Sequence, residues 1–162
     1  MATASASWSF TEDDFGAITA TLQRFLFDAN ARCALLVDRT GQLVATVGEQ
    51  PDFDPTAFAT LTAADFSAND QLAKLIGEND FSSLFHQGET ASMYLADIAR
   101  RVILVVLFDN RTSLGLVRLK MKETVAELTR LFEQVFARAQ RVSPSQTGLL
   151  AGADAEIDDL FR

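Results

Sequence analysis

The sequence predicts a single α+β domain in the order helix, two strands, helix, three strands, long helix, with a five-stranded, mostly antiparallel sheet between helices. Three observations predict it. Short β-forming runs come as neighbours separated by turns, and longer stretches repeat apolar residues at helical spacing. Val102 to Phe108 is apolar on both faces, as a central strand must be. At 162 residues and 48% hydrophobic, the chain has the material for one domain of ordinary size rather than two.

Thr11 before Glu12, Asp13 and Asp14 reads as a helix N-cap with acidic residues over the positive end of the helix dipole. Phe15, Ile18, Leu22, Phe25 and Leu26 then form one apolar face that runs to about Ala29. Arg32 to Asp38 and Gln42 to Gly48 are two strands around the turn Arg39-Thr40-Gly41, with glycine where positive φ is needed. Asp54-Pro55 opens a second helix, near Pro55 to Ile76, and Gly77 stops it.

The second helix is predicted to bury Phe58, Leu61, Ala68, Leu72, Leu75 and Ile76 and to turn Ala59, Thr60, Ala63, Ser67, Gln71 and Lys74 outward. That outer face is small and weakly charged, which fits either an alanine-rich surface helix or a close docking face. Asp65 falls on the apolar side without an evident partner. Ser82 to Gln87, Ala91 to Asp97 and Arg101 to Phe108 are the last three strands, the first two joined through Gly88-Glu89.

From about Ser113 to Gln140 the period is helical again, with Leu114, Val117, Met121, Val125, Leu128, Phe132, Val135 and Ala139 at three-four spacing. Leu131 and Phe136 widen this stripe beyond one seam, so the helix has surface both for its own sheet and for a second subunit. Ser143-Pro144-Ser145, Gly148 and Gly152 predict a flexible linker over 142–153. Residues 154–162 form a short acidic, amphipathic motif that is either a disordered tail or a segment that folds on a partner. Residues 1–10 are predicted to be a flexible N-terminus, leaving 11–141 as the folded domain.

Fourteen Lys and Arg against 22 Asp and Glu give a net charge of −8, which argues against nucleic acid or an anionic membrane as partner. The start of the chain lacks the basic and apolar regions of a secretory signal, and no apolar run approaches the roughly 18 residues of a membrane helix. A cytoplasmic protein without membrane insertion is expected. The lone Cys33 lies in an apolar run and reads as core. Asn110-Arg111-Thr112 matches a glycosylation pattern only by coincidence on this reading.

Chemical motifs are missing. No glycine pair is followed by Lys and Ser or Thr as in a P-loop, and the single His86 has no metal-ligand helix, Cys cluster or serine elbow near it. His86 reads as a partly exposed structural residue. Arg100, Arg101 and Arg111 are candidates for an arginine finger offered in trans, but arginines flanking strands more commonly solubilise. No catalytic residue, cofactor or metal is assigned.

The element order resembles that of Roadblock domains, the dynein-light-chain-like modules that form homodimers beside small GTPases. The resemblance covers about residues 11–141. It is densest in Asp28-Ala29-Asn30-Ala31, in Leu36-Val37-Asp38 with Gly41-Gln42-Leu43, and in Leu72-Ala73-Lys74-Leu75-Ile76-Gly77-Glu78-Asn79. The run Phe108-Asp109-Asn110-Arg111-Thr112-Ser113-Leu114-Gly115-Leu116-Val117-Arg118 is the most specific. The acidic, apolar end Glu156-Ile157-Asp158-Asp159-Leu160-Phe161 narrows the likeness to the bacterial MglB group.

That resemblance implies a homodimeric activator of a Ras-like GTPase of the MglA type, one GTPase per dimer, controlling polarity and motility and enriched at a cell pole. By the same resemblance it acts on catalytic groups the GTPase already carries. The GTPase-binding residues it implies are Thr60, Ala63, Ala64, Ser67, Gln71 and Lys74, with Ile157, Asp158, Asp159, Leu160 and Phe161 as a C-terminal docking motif that also influences nucleotide exchange. The alternative is a non-catalytic dimeric scaffold that tethers polarity or motor components.

Overall fold

The computed structural model describes residues 9–160, with side chains over 9–141. The elements are α1 (Glu12–Ala29), β1 (Cys33–Asp38), β2 (Leu43–Gly48), α2 (Pro55–Leu75), β3 (Ser83–Gln87), β4 (Ser92–Ile98), β5 (Val102–Phe108) and α3 (Leu114–Leu160). The predicted strands stand with ends moved by about a residue. Every neighbouring pair is antiparallel, in the order β2-β1-β5-β4-β3, so the apolar run of β5 is central.

Local chemistry sets the boundaries. Thr11 and Asp14 form a reciprocal capping box: the Thr11 N–H donates to Asp14 Oδ2 at 2.9 Å and the Asp14 N–H to Thr11 Oγ1 at 3.1 Å. Asn30 ends α1 in the left-handed region, and its side-chain amide donates to the Arg111 carbonyl at 2.9 Å. In the β1–β2 turn, Asp38 Oδ1 accepts from the Thr40 N–H at 2.8 Å and from the Gln42 N–H at 3.2 Å. Gly41 completes that turn at φ 95°, where a Cβ would lie 3.3 Å from the Thr60 Cα, so the hairpin abuts α2.

The sheet has a helical layer on each face. On one, α1 and α3 bury Ile18, Leu22, Phe25, Val117, Met121, Leu128 and Phe132 against alternate sheet residues such as Leu36, Leu104 and Val106. The two helices run antiparallel and are tied by Arg24 to Glu127 at 2.5 Å and by Arg138 to Asp14. On the other face, α2 covers Cys33, Leu35, Val37, Leu95, Ile103 and Val105. Burial pushes the Cys33 thiol up to about 11, leaving it a small apolar residue rather than a nucleophile.

One boundary departs from expectation. The linker predicted over 142–153 is helical, and α3 continues without a break to Leu160. Pro144 removes one backbone donor, while Gln146, Leu149, Leu150, Ala151, Ala153 and Ala155 all favour helix and carry the ladder past it. The expected acidic motif therefore begins as the end of α3. Residues 1–8 of the predicted N-terminus, and Phe161 and Arg162, lie outside the described residues. No helix among the described residues is long and apolar enough to cross a membrane.

Candidate functional site

The candidate site is the outer surface of α2. Asp54 caps the helix, accepting the Thr56 N–H at 3.0 Å, and Pro55 occupies its first turn. The buried side of α2 consists of Ala59, Thr62, Ala63, Phe66, Asn69 and Ala73. Three alanines in that row let the helix lie close over β1, and Phe66 fills the remaining depth with no exposed surface.

This inverts the predicted orientation. Leu61 is 69% exposed, Leu72 57%, Leu75 82% and Ile76 70%, whereas Ala59 and Ala63, expected outside, are buried. The prediction assigned the larger apolar residues to the core. The helix carries two apolar rows, however, and the sheet accepts the one made of alanines around a single phenylalanine. Phe58 is half-buried, and Ala68 is exposed with the leucines. Of the implied binding residues, Thr60, Ala64, Ser67, Gln71 and Lys74 are exposed, and Ala63 faces the sheet instead. A helix with two apolar rows is normally covered on both, and that was the signal available in the sequence.

At 100° per residue the outermost row is Ala57, Leu61, Ala64, Ala68, Leu72 and Leu75. Thr60, Ser67, Gln71 and Lys74 form a polar flank on one side of it, and Asp65 lies on the other. The partner of Asp65 that sequence could not name is His86 on the edge strand β3, with Nε2 2.6 Å from Asp65 Oδ2.

A second polar link fixes the helix axis. Arg39, from the β1–β2 turn, reaches Asp70 of α2 and Asp97 of β4, each at 2.5 Å, and lies over the Phe66 ring at 5.1 Å from its centroid. Burial disfavours the Arg39 charge, but the Asp97 and Asp70 hydrogen bonds outweigh it and hold its pKa above the ordinary arginine value.

The three arginines considered as a finger all make contacts within the chain. Arg111 pairs with Asp109 at 3.0 Å and Glu49 at 3.2 Å, Arg101 lies over the Phe136 ring, and Arg100 is 3.5 Å from Asp80. Among the described residues no group of three His, Cys, Asp or Glu is arranged to hold a metal. Ile157, Asp158, Asp159 and Leu160 lie in the last turns of α3, and Phe161 falls outside the described residues.

Residues 17–108 match the model of the Roadblock/LC7 domain, more than half of the chain. The chain belongs to the Roadblock/LC7 family. Among solved structures, this Roadblock chain is similar to Myxococcus xanthus MglB, with 49% identity over 74% of its length and 98% of the other, at a TM-score of 0.71. It is also similar to the gliding protein MglB of Thermus thermophilus, with 32% identity over 79% of this chain and 97% of that one, at 0.73. A further MglB structure, described as a tetrameric arrangement, shares 32% identity over 80% and 97%, at 0.74. Profilin IA of Acanthamoeba castellanii, 15% identical over 68% and 95% at a TM-score of 0.52, shares the fold alone. No curated protein matches the chain.

Proposed function

We propose that this protein is a homodimeric activator of a Ras-like GTPase of the MglA type, binding one GTPase per dimer and serving cell polarity and motility from a cell pole. The observation that carries the reading is the exposed apolar row of α2 on a chain 49% identical to an MglB. A row containing Leu61, Leu72 and Leu75 in water is unfavourable, since burying each such side chain contributes about 1.5–3 kcal/mol. A second copy covers that row, and the polar flank of Thr60, Ser67, Gln71 and Lys74, with Ala64 at its edge, meets the GTPase.

The chain brings no assigned catalytic group of its own. It acts by positioning the attacking water and charge-stabilising groups that the GTPase carries, and each 1.4 kcal/mol of barrier removed that way is about tenfold in rate. The end of α3 contributes a second contact that modulates nucleotide exchange.

The test is single-turnover GTP hydrolysis by the GTPase of the same organism, with and without this protein in excess. A rise of about tenfold or more is expected. Binding without acceleration supports the scaffold reading, and absence of binding overturns both. Replacing Ser67 and Gln71 together by Arg leaves the dimer intact in sedimentation and abolishes the stimulation. If that variant stimulates at the wild-type level, the polar flank is not the GTPase face.

A further inference from the structure

The end of the sheet beside the start of α2 holds a recess. Gly48 closes β2 at φ 100°, where a Cβ would stand 2.5 Å from the Arg32 carbonyl oxygen, so the chain passes tightly there and the Glu49 N–H donates to that oxygen at 3.0 Å. Residues 50–53 then cross to Asp54, where Pro55 fixes the start of α2. Cys33 and Leu107, cross-strand partners in β1 and β5, form an apolar floor on the α2 side of the sheet. Together with Pro51, Phe53 and Ala91 they line a cavity of about 270 Å³. The Phe58 ring steadies Phe53, with 4.6 Å between the ring centroids.

Size and lining select a ligand. An apolar cavity of about 150 Å³ accepts one benzene ring, so this one has room for a ring with a short stem. It falls below the roughly 300–1,000 Å³ of pockets for drug-sized molecules, and a nucleotide does not fit. The floor rejects charge, since burial pushes the Cys33 thiol up to about 11 and keeps it neutral. A charged group of the ligand therefore stays at the rim. There Arg32 pairs with Glu49 at 3.0 Å, and Arg111 and Asp109 extend this pairing into a network of balanced charge. Asp52 lines the same cavity, is exposed, and makes no hydrogen bond or ion pair among the described residues.

We propose that this cavity binds a small aromatic ammonium compound, with its ring on the Cys33 and Leu107 floor and its ammonium group on the Asp52 carboxylate. The sign of the charge follows from the rim: the arginine there already has carboxylate partners, whereas Asp52 has no cation. The site lies apart from the outer row of α2 and rests on neither the dimer nor the GTPase reading.

The test titrates the full chain with phenethylamine and with hydrocinnamate, a similar molecule of opposite charge, and follows the backbone amide chemical shifts. Phenethylamine is expected to shift the Cys33, Phe53 and Leu107 amides saturably and to bind about tenfold more tightly than hydrocinnamate. Asp52→Asn weakens the amine about fivefold, the upper range for an exposed ion pair, and does not weaken the anion. Ala91→Leu, at an exposed wall position, fills part of the cavity and weakens both about tenfold, with circular dichroism checking that the fold is retained. Absence of saturable shifts, hydrocinnamate binding as tightly as the amine, or indifference to Asp52→Asn overturns the proposal. Acetyl-Phe-Lys-amide carries the same two groups on a peptide, and its binding about tenfold more tightly than phenethylamine would overturn the proposal in favour of a partner's peptide. GTP hydrolysis is not read in this titration, so its failure leaves the GTPase reading in place.

Discussion

The two faces of the sheet are sealed to different depths. Two helices close one face with large side chains, among them Leu22, Phe25, Met121, Leu128 and Phe132, each at most 2% exposed. The opposite face has α2 alone, which turns alanines inward and leaves Leu61, Leu72, Leu75 and Ile76 outside. A monomer rarely presents such a row to water. The difference teaches that the α1/α3 face holds the fold together, whereas the α2 face is built to be finished by something else.

The largest expected effect lies on the sealed face. Leu128 is fully buried among α1, α3 and sheet residues, so Leu128→Ala removes methyl groups and leaves a cavity. It lowers the unfolding free energy by about 2–5 kcal/mol, read from chemical denaturation. A loss below 1 kcal/mol would mean that the α1/α3 layer collapses easily and would remove the contrast between the faces.

Next in size is the link that holds α2 on its own face. Arg39→Met keeps the stem over Phe66 but leaves Asp70 and Asp97 without their guanidinium. Losing a charged partner from such half-buried groups costs about 1–3 kcal/mol. Its more specific signature is faster amide exchange in α2 than in α1 or α3, because only α2 depends on that arginine. Uniform acceleration across the three helices would show that the faces are not independent.

Much of this architecture was legible in the sequence. Thr11 and Asp14, Gly41, Asp54-Pro55 and the run Val102 to Phe108 act through local rules of capping, turn conformation and alternation, and the structure uses each as predicted. The orientation of α2 was not legible, because burial was inferred from side-chain size. The sheet selected Ala59, Ala63 and Phe66 by fit, and nothing local reveals how close a helix will approach. The Asp65–His86 and Arg39–Asp70–Asp97 contacts join residues far apart in the chain, which no spacing rule encodes. Pro144 and two glycines mark 142–153 as a linker in the sequence, and the helix formers around them outweigh that signal.

On the open face the effect on folding is small and the effect on association is large. Leu61→Ser and Leu72→Ser change surface residues, so the denaturation free energy of the monomer moves by less than about 0.5 kcal/mol. Both are expected to reduce dimer affinity, since each removes an apolar side chain from the row proposed to be covered by a second copy. Sedimentation equilibrium reads the shift as a dissociation constant raised about tenfold or more for each variant. A destabilised monomer with an unchanged dimer would place these leucines in the core after all.

The smallest expected effect is the pH dependence that the α1–α3 seam contributes. Asp14 joins α1 to α3, accepting the Thr11 N–H and pairing with Arg138. Burial raises its pKa, but the Thr11 backbone hydrogen bond and the Arg138 contact together overcome this and bring it below its ordinary 3.8. A carboxyl with a depressed folded pKa stabilises above its unfolded value and loses that contribution as pH falls through the folded one. The melting temperature therefore drops as pH falls below about 4, and Asp14→Asn, which cannot titrate, shows a shallower drop over the same range. Because the seam joins α1 to α3 and leaves α2 untouched, amide exchange at low pH quickens along α1 before α2. Acid sensitivity that Asp14→Asn leaves unchanged would locate the titrating groups away from this seam, as at Glu49 and Asp109, whose pKa values their arginine partners also lower.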